Sequence, residues 1–230
     1  MKLLNVHFNV PIQPWQISQF RGALSDWIMT HKSELLTEEE QAFFHNHKGS
    51  KFHYRYPLIQ YRSVSEKAAI LVLNEAIPVL QKVLMDMSPP FVMQGKTMEL
   101  AWENMDMEKH ELQMTEKPHC YRLQNWIGLN NERFAEWNET TGLTKRVLML
   151  EKAIEGHILA FAIGMDWRIP ERFKVELLEL KSFKQARYHK VKLNTFDLVF
   201  QVRIALPEGV GLGKAPSHGF GVLRKWQFRG

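Results

Sequence analysis

The chain has 230 residues, enough for one large domain or two small ones, and 45% hydrophobic and 24% charged residues are ordinary for a globular protein. Lys and Arg number 30 against 25 Asp and Glu, so the formal net charge of +5 favours a polyanionic partner. The single cysteine, Cys120, excludes an internal disulfide and a multi-cysteine zinc site, and it favours a reducing, cytoplasmic setting.

The first half of the chain alternates between strand-like and helix-like patterns. Residues 3–10 alternate apolar with polar side chains, which predicts a strand that Pro11 ends, and apolar residues at three- and four-residue steps from Trp15 predict a helix. The remaining elements predicted here are strands at 52–62 and 68–73, a helix at 76–87, and a strand pair at 91–100 and 105–114. This order, β-α-β-β-α-β, is that of a ferredoxin-like domain.

The second half repeats the mixture of strands and helices and ends in a glycine-rich segment. Its predicted elements are a strand at 121–129, helices at 131–139 and 144–164, strands at 175–180, 187–193 and 195–205, and a short strand at 220–223. We therefore predict an α+β chain of two tandem ferredoxin-like (β-α-β-β-α-β, RRM-like) domains, residues 1–116 and 117–230. The N-terminal apolar run is too short for a signal peptide, and no segment reaches the roughly 20 apolar residues of a membrane helix.

Two Gly-apolar-Gly steps, Gly211-Leu212-Gly213 and Gly219-Phe220-Gly221, stand five residues apart near the C-terminus. Glycine has no Cβ, so it adopts backbone angles closed to other residues and lets another backbone approach closely. The loop between the two steps carries Lys214, Ser217 and His218. We predict a concave run of backbone N–H donors beside a cation, which suits the phosphates of a nucleic acid.

This glycine motif resembles the C-terminal signature of the repeat-associated RNA-binding (RAMP) superfamily of CRISPR systems, especially its repeat-processing endoribonucleases. The segment Tyr56–Arg62 also looks like the strand that follows the catalytic loop in a bacterial branch of that family. The resemblance implies an endoribonuclease that needs no metal or other cofactor. It would cut CRISPR precursor RNA within the repeat and leave 5′-hydroxyl and 2′,3′-cyclic phosphate ends. The resemblance also implies other CRISPR effector proteins as further partners. It implies no membrane partner.

Cleavage of this kind needs a base for the attacking 2′-hydroxyl, an acid for the leaving 5′-oxygen, and a cation for the charge that develops on the phosphate. Suitable side chains fall within ten residues, at the loop between the first helix and the strand at 52–62: His45, His47, Lys51 and Tyr54. By the resemblance, His45 is the first and His47 the second candidate for the acid or base. Lys51 would stabilise the phosphate, and Tyr54 would assist.

The resemblance also implies a set of RNA-binding residues in the second half. They are Gly211, Gly213, Lys214, Ser217, His218, Gly219 and Gly221 of the glycine segment. From the sequence itself we add Lys190 and Lys192, which belong to a basic stretch on two adjacent predicted strands. His218 is a competing candidate for the acid or base. Trp226 either contributes to a stacking surface for RNA bases or packs against the first domain.

Several alternatives remain open from the sequence. Residues 14–36 contain no tyrosine, although some members of the family take a catalytic tyrosine from the first helix, so the partner of the catalytic histidine is undecided. Glu38, Glu39 and Glu40 could complete a metal site with the two histidines, but three adjacent acids indicate a helix start. A noncatalytic RNA-binding subunit and a small-ligand or protein-interaction module with an incidental basic surface are the rival functions.

Overall fold

A computed structural model of the protein describes residues 1–44, 56–188 and 191–227, and the chain divides into two compact units. Unit 1 comprises Met1–His110 together with the tripeptide Ser217–Gly219. Unit 2 comprises Glu111–Pro216 and Phe220–Gly230. None of the helices in the described ranges combines the length and the apolar character that crossing a bilayer requires.

Unit 1 is a four-stranded antiparallel sheet with two crossover connections. Its elements are β1 (Lys2–Pro11), α1 (Ile17–His31), α2 (Glu38–Gln41), β2 (Ile59–Val64), β3 (Lys67–Leu73), α3 (Ala76–Leu84), β4 (Phe91–Met93), β5 (Lys96–Met98) and β6 (Trp102–Lys109). The strand order is β2-β3-β1-β6, and β4 and β5 form a separate hairpin. This order places the first strand at the centre of the sheet, beside the last one, as in a ferredoxin-like domain.

The core of unit 1 follows from the alternation in β1 and the periodicity of α1. Val6 and Phe8 point to the buried face of β1, where α1 contributes Phe20 and Leu24, and all four side chains are fully buried. The Phe20 ring packs 5.6 Å from the Phe8 ring, measured between centroids. Helix α1 is thereby fixed on the sheet, and the polar residues beside its apolar stripe keep defined positions.

Unit 2 has the same strand order with a different second crossover. Its elements are β7 (Met114–Trp126), α4 (Asn131–Glu139), α5 (Leu143–Gly164), β8 (Val175–Tyr188), β9 (Val191–Ile204) and β10 (Val222–Lys225). The sheet runs β10-β7-β9-β8 and is antiparallel throughout. The connection from β9 to β10, where unit 1 has α3, is the glycine-rich segment 205–221, which contains one turn of 3₁₀ helix at Pro216–His218.

The predicted fold class is confirmed, because both sheets have the ferredoxin-like strand order. Two strand predictions were wrong in detail. The predicted strand at 187–193 is divided between two elements, since β8 ends at Tyr188 and β9 begins at Val191, and the residues at 91–98 form the β4–β5 hairpin. A period-two pattern continues through a tight hairpin, so alternation alone does not locate the turn. The predicted boundary at 116/117 lies inside β7.

Candidate nucleic-acid interface

The segment predicted to carry the chemistry lies outside the described residues, and only its two ends can be placed. The predicted catalytic residues within it are His45, His47, Lys51 and Tyr54. At one end Phe44 is 2% exposed, and its carbonyl oxygen accepts a hydrogen bond from Ser25 Oγ of α1 at 3.1 Å. At the other end the Tyr56 hydroxyl accepts from Gln60 Nε2 at 2.9 Å. Burial raises the pKa of Tyr56. Both ends of the segment are therefore anchored in unit 1.

Helix α2, which precedes this segment, begins at the run of acids that predicts a helix start, and its first turn is closed by a capping box. Thr37 Oγ1 accepts from the Glu40 N–H at 3.2 Å, and Glu40 Oε2 accepts from the Thr37 N–H at 2.9 Å. Glu40 also pairs with Lys82 of α3 at 2.6 Å, and the hydrogen bond from Lys82 is the main reason for its lowered pKa. Glu40 is thus engaged in holding α2.

Three glycines of the motif occupy positions in unit 2 that a side chain would not fit. A Cβ on Gly213 would lie 2.7 Å from Trp126 Nε1, and one on Gly221 would lie 1.8 Å from the Leu212 carbonyl oxygen. Both residues have positive φ angles, +97° and +65°. A Cβ on Gly211 would meet the Pro216 side chain at 2.5 Å. Close packing of the segment on itself and on the end of β7 therefore requires these glycines.

The predicted cradle of open N–H donors is wrong at three positions of the segment. The Leu212 N–H donates to the Gly221 carbonyl oxygen at 2.8 Å. The N–H groups of Lys214 and Gly221 donate to the carbonyl oxygens of Ile127 and Asn125, at 3.1 and 3.3 Å. These donors fasten the segment to the end of β7, so the backbone supports the Lys214 side chain instead of offering these N–H groups to a ligand.

Beneath the segment the buried ring of Trp126 meets the half-buried ring of His157, a pair that the sequence did not reveal. The Trp126 ring meets the His157 ring of α5 edge-on, with the centroids 5.6 Å apart. Trp126 Nε1 and His157 Nδ1 are buried and have no hydrogen-bond partner in the described part of the chain. Burial, followed by the charge of Lys214, lowers the pKa of His157 from 6.5 to about 4. His157 is therefore neutral at physiological pH.

The tripeptide Ser217–Gly219 lies in unit 1, against α1 and β2. A Cβ on Gly219 would stand 2.7 Å from Ile17 Cδ1, and Ser217 is buried. Each ring nitrogen of His218 has a partner on α1. Nδ1 lies 3.2 Å from Ser18 Oγ, and Nε2 is hydrogen-bonded to Arg21 Nη1. His218 thus holds the tripeptide on the first turns of α1.

The Arg21 contact assigns the hydrogen-bonding roles of the two His218 ring nitrogens. A guanidinium can only donate, so His218 Nε2 must accept and carries no proton. In the neutral imidazole the proton then sits on Nδ1, which donates to Ser18 Oγ. Both ring nitrogens are engaged by side chains of α1 in this arrangement. This geometry favours a positioning role for His218 over the competing role of acid or base.

Tyr61 of β2 lies below Arg21 and completes this corner of unit 1. The guanidinium carbon stands 6.0 Å from the centroid of the Tyr61 ring. The Tyr61 side chain is 1% exposed, and its hydroxyl has no hydrogen-bond partner in the described ranges. Burial raises the pKa of Tyr61 to about 12, against an opposing effect of the Arg21 charge. The sequence alone shows Arg21 only as a cation beside the apolar stripe of the first predicted helix, which did not single it out as a functional residue.

The basic strands and the C-terminal tail of unit 2 are placed only in part. Lys190 lies outside the described residues, and Lys192 pairs in the β8–β9 register with Arg187. The Trp226 ring is flanked by Lys181 Nζ, 4.6 Å from its centroid, and by the Arg122 guanidinium at 5.9 Å. Trp226 therefore packs within unit 2. No group of three or more His, Cys, Asp or Glu in the described ranges is arranged to hold a metal ion.

Models of one family match both halves of the chain. The Cas6b N-terminal domain matches residues 1–111, and the Cas6b C-terminal domain matches residues 113–226. A curated relative from Methanocaldococcus jannaschii, named "Uncharacterized protein MJ0978", is 34% identical over 99 residues. That match covers 43% of this chain and 66% of the relative, just under two thirds of its length.

Solved structures with the same fold cover almost the whole chain. A crystal structure of Cas6b superposes with a TM-score of 0.78 at 22% identity, covering 98% of this chain and 100% of the other. A second protein, named "CRISPR RNA processing endoribonuclease Cas6b", gives 0.69 at 18% identity with the same coverage. A third, named "An RAMP protein binding different RNA substrates", gives 0.54 at 12% identity and covers 99% of this chain and 100% of its own.

Proposed function

The chain belongs to the Cas6b family, and from that membership we propose that it is an endoribonuclease that processes CRISPR RNA. The observation that carries the proposal is the match of Cas6b models to residues 1–111 and 113–226, which together span nearly the whole chain. The endoribonuclease named among the solved structures has the same fold, which agrees with this function. The net charge of +5 suits an RNA partner.

The reaction we propose is an internal transesterification that uses no metal. The 2′-hydroxyl beside the cut linkage attacks its phosphorus atom, and the bond to the 5′-oxygen breaks. The hydroxyl proton passes to a base, and an acid gives a proton to the leaving oxygen. The products are therefore a 2′,3′-cyclic phosphate and a 5′-hydroxyl. The RNA supplies both the nucleophile and the leaving group, so the protein needs only proton transfer and charge stabilisation.

The groups we assign to these steps come from the segment that follows α2. His45, or His47 in second place, is the acid or base, because imidazole takes up and releases protons near neutral pH. Lys51 would stabilise the charge on the nonbridging oxygens, and Tyr54 would assist by hydrogen bonding. These roles rest on the family resemblance and on the sequence, and the two residues that flank the segment, Phe44 and Tyr56, are hydrogen-bonded within unit 1.

The glycine segment and the basic strands are proposed to bind the RNA. Lys214 is half-buried, and its backbone N–H is hydrogen-bonded to the Ile127 carbonyl oxygen, so its flexible side chain extends a positive charge from a fixed backbone toward a phosphate in this proposal. Lys190 and Lys192 would add charge from the β8–β9 hairpin. The same proposal includes other CRISPR effector proteins as further partners, as subunits that receive the processed RNA.

The direct test is cleavage of the cognate CRISPR repeat RNA by the pure protein in the presence of EDTA. We expect cleavage at one position of the repeat and the two end groups given above, identified by mass spectrometry. A cut that appears only after a divalent metal is added would overturn the metal-independent reaction. Specific binding of repeat RNA without any cut would favour the noncatalytic subunit instead.

The assignment of the acid or base is tested by His45→Ala and His47→Ala, separately and together. We expect His45→Ala to lower the cleavage rate by about 10² to 10⁴ while repeat binding is kept. His31→Ala, at the exposed end of α1, is the matched control and should cleave at the rate of the unchanged protein. Unchanged cleavage by the double variant would exclude this pair of residues from the reaction.

A further inference from the structure

Arg21 is a half-buried cation that has no counter-ion in the described part of the chain. None of the ion pairs in the described ranges includes it, and its only hydrogen-bond acceptor there is the neutral imidazole of His218. Segments 45–55, 189–190 and 228–230, which complete the chain, contain no Asp or Glu. Removing a charge from water without a partner is costly, so such a site normally binds an anion.

The groups around Arg21 can offer more donors than acceptors. His218 Nε2 takes one guanidinium N–H, and the other N–H groups of Arg21 have no acceptor in the described part of the chain. Ser18 Oγ accepts from His218 Nδ1, so the hydroxyl hydrogen of Ser18 stays available. Ser18 and Arg21 are three residues apart on α1, which puts both on one face of the helix, and both are half-buried.

Two contacts hold the guanidinium in place from within the protein. The Tyr61 ring lies beneath it, and His218 Nε2 binds its Nη1 from the side. Because Tyr61 is in β2 and His218 is in the tripeptide that packs on α1, Arg21 has little freedom to turn away. A guanidinium already fixed loses little conformational entropy when it binds a ligand.

We propose that Ser18 and Arg21 bind a phosphate group, with His218 and Tyr61 as the residues that position Arg21. A phosphate presents acceptor oxygens and negative charge, and the planar guanidinium matches two of those oxygens. The proposal rests on the proposed function where the phosphate is one of the RNA backbone. Free phosphate has the same chemistry, and the experiments below separate the two sources.

The first experiment measures binding of a repeat RNA whose 2′-hydroxyl at the cut linkage is replaced by hydrogen. Fluorescence anisotropy gives the dissociation constant over a series of KCl concentrations for Arg21→Gln, Arg21→Lys and Arg168→Gln. Arg168 is exposed, in the loop between α5 and β8, and controls for the loss of one positive charge. If Arg21 contacts a phosphate, Arg21→Gln should weaken binding by about 10-fold and reduce the salt slope by about 0.7.

Arg21→Lys should keep most of the salt slope, because the charge remains, and recover part of the affinity. Equal affinities and equal slopes for Arg21→Gln and Arg168→Gln would overturn an RNA phosphate at this site. Circular dichroism and thermal unfolding of each variant show whether it is folded as the unchanged protein is.

The second experiment uses the unchanged protein, so it does not depend on a variant that folds. Phenylglyoxal modifies accessible arginines, and mass spectrometry reports the labelled fraction of Arg21 with inorganic phosphate, with repeat RNA, or with KCl at the same ionic strength. Protection by RNA supports an RNA phosphate, and protection by inorganic phosphate alone assigns the site to free phosphate. Equal labelling in all three solutions would overturn the proposal.

Failure of the proposed function is read from a different measurement. Suppose that the unchanged protein does not cleave the repeat RNA, but Arg21 is protected and the salt slope changes in Arg21→Gln. The phosphate site is then supported and the endoribonuclease function is contradicted. If the unchanged protein cleaves the RNA, and Arg21→Gln binds and cleaves it as Arg168→Gln does, the function is supported and binding of an RNA phosphate at Arg21 is contradicted.

Discussion

At the scale of single residues, the glycines of the motif are explained by what a side chain would meet. Gly221 is the most restricted of them, since a Cβ there would overlap the Leu212 carbonyl oxygen and its φ is +65°. We expect Gly221→Ala to lower the free energy of unfolding by about 3 kcal/mol, from backbone strain and overpacking. Urea unfolding followed by circular dichroism measures the change.

Gly156→Ala is the control for this prediction because Gly156 is an exposed position of α5, in the same unit, with open space around it. There the replacement should raise the free energy of unfolding by about 0.5 to 1 kcal/mol, because alanine favours a helix. If the two alanine variants prove equally stable, the packing of Gly221 against Leu212 is not what requires the glycine.

The half-buried ring of His157 makes unit 2 sensitive to acid. The pKa of His157 is about 4 in the folded protein and 6.5 for an ordinary histidine, the value we take for the unfolded chain. Between pH 4 and pH 6.5 the unfolded chain therefore binds more protons than the folded protein. The contribution of His157 to stability is therefore complete above pH 6.5 and declines as the pH falls toward 4. At pH 5 the loss relative to pH 7 should reach about 2 kcal/mol.

His157→Gln removes this titrating group and tests the assignment. The replacement also removes the edge contact with Trp126, so we expect the variant to be less stable than the unchanged protein at pH 7. At pH 5 the difference in unfolding free energy between the two proteins should shrink or reverse. A difference that stays constant between the two pH values would show that His157 does not carry the acid sensitivity.

At the scale of elements, the caps of the helices carry measurable stability. Asn130 precedes α4, and its Oδ1 accepts from the Arg133 N–H at 2.8 Å. Asn130→Ala should cost about 1 kcal/mol because it leaves that donor without its partner. Asn138→Ala, at an exposed position inside the same helix, should be slightly stabilising. Equal unfolding free energies for the two variants would contradict a capping role for Asn130.

Elements with one clear buried face could be predicted from the sequence. The alternation of β1 and the three- and four-residue steps of α1 each report a single packing surface, so both predictions hold. The predicted bounds of β8 and β9 were wrong where the two strands adjoin, because the alternation in one arm of a hairpin continues into the other arm. Patterns in sequence report which face is buried, and they do not report where the chain reverses.

The candidate site could be predicted only where its residues are close together in the sequence. The glycine motif was visible as spacing, but its packing partner Trp126 and the ring of His157 lie on distant parts of the chain. Arg21 and His218 are likewise far apart in sequence and meet only in the folded structure. The spacing of the glycines shows that another group packs closely against the backbone there. Which side chains pack against it is known only from the folded structure.

At the scale of the whole molecule, the two units share a strand order and differ at the second crossover. In unit 1 that crossover is α3, which is largely buried against the sheet. In unit 2 it is the glycine segment, which delivers Lys214 within unit 2 and the tripeptide Ser217–Gly219 to unit 1. Replacing a helix by a glycine-rich connection frees that part of the chain to present side chains instead of burying an apolar face.

The proposed reaction has a consequence for the complete protein and its RNA. If the 2′-hydroxyl at the cut linkage is the nucleophile, replacing that one hydroxyl by hydrogen should abolish cleavage and leave the dissociation constant nearly unchanged. The matched control is the same replacement one nucleotide away, which keeps the nucleophile and should be cut at the original linkage. Gel electrophoresis of the labelled RNAs gives the cleavage, and anisotropy gives the binding. Cleavage of the first RNA would mean that water attacks the phosphate, and His45 and His47 would then have to activate a water molecule instead of a ribose hydroxyl.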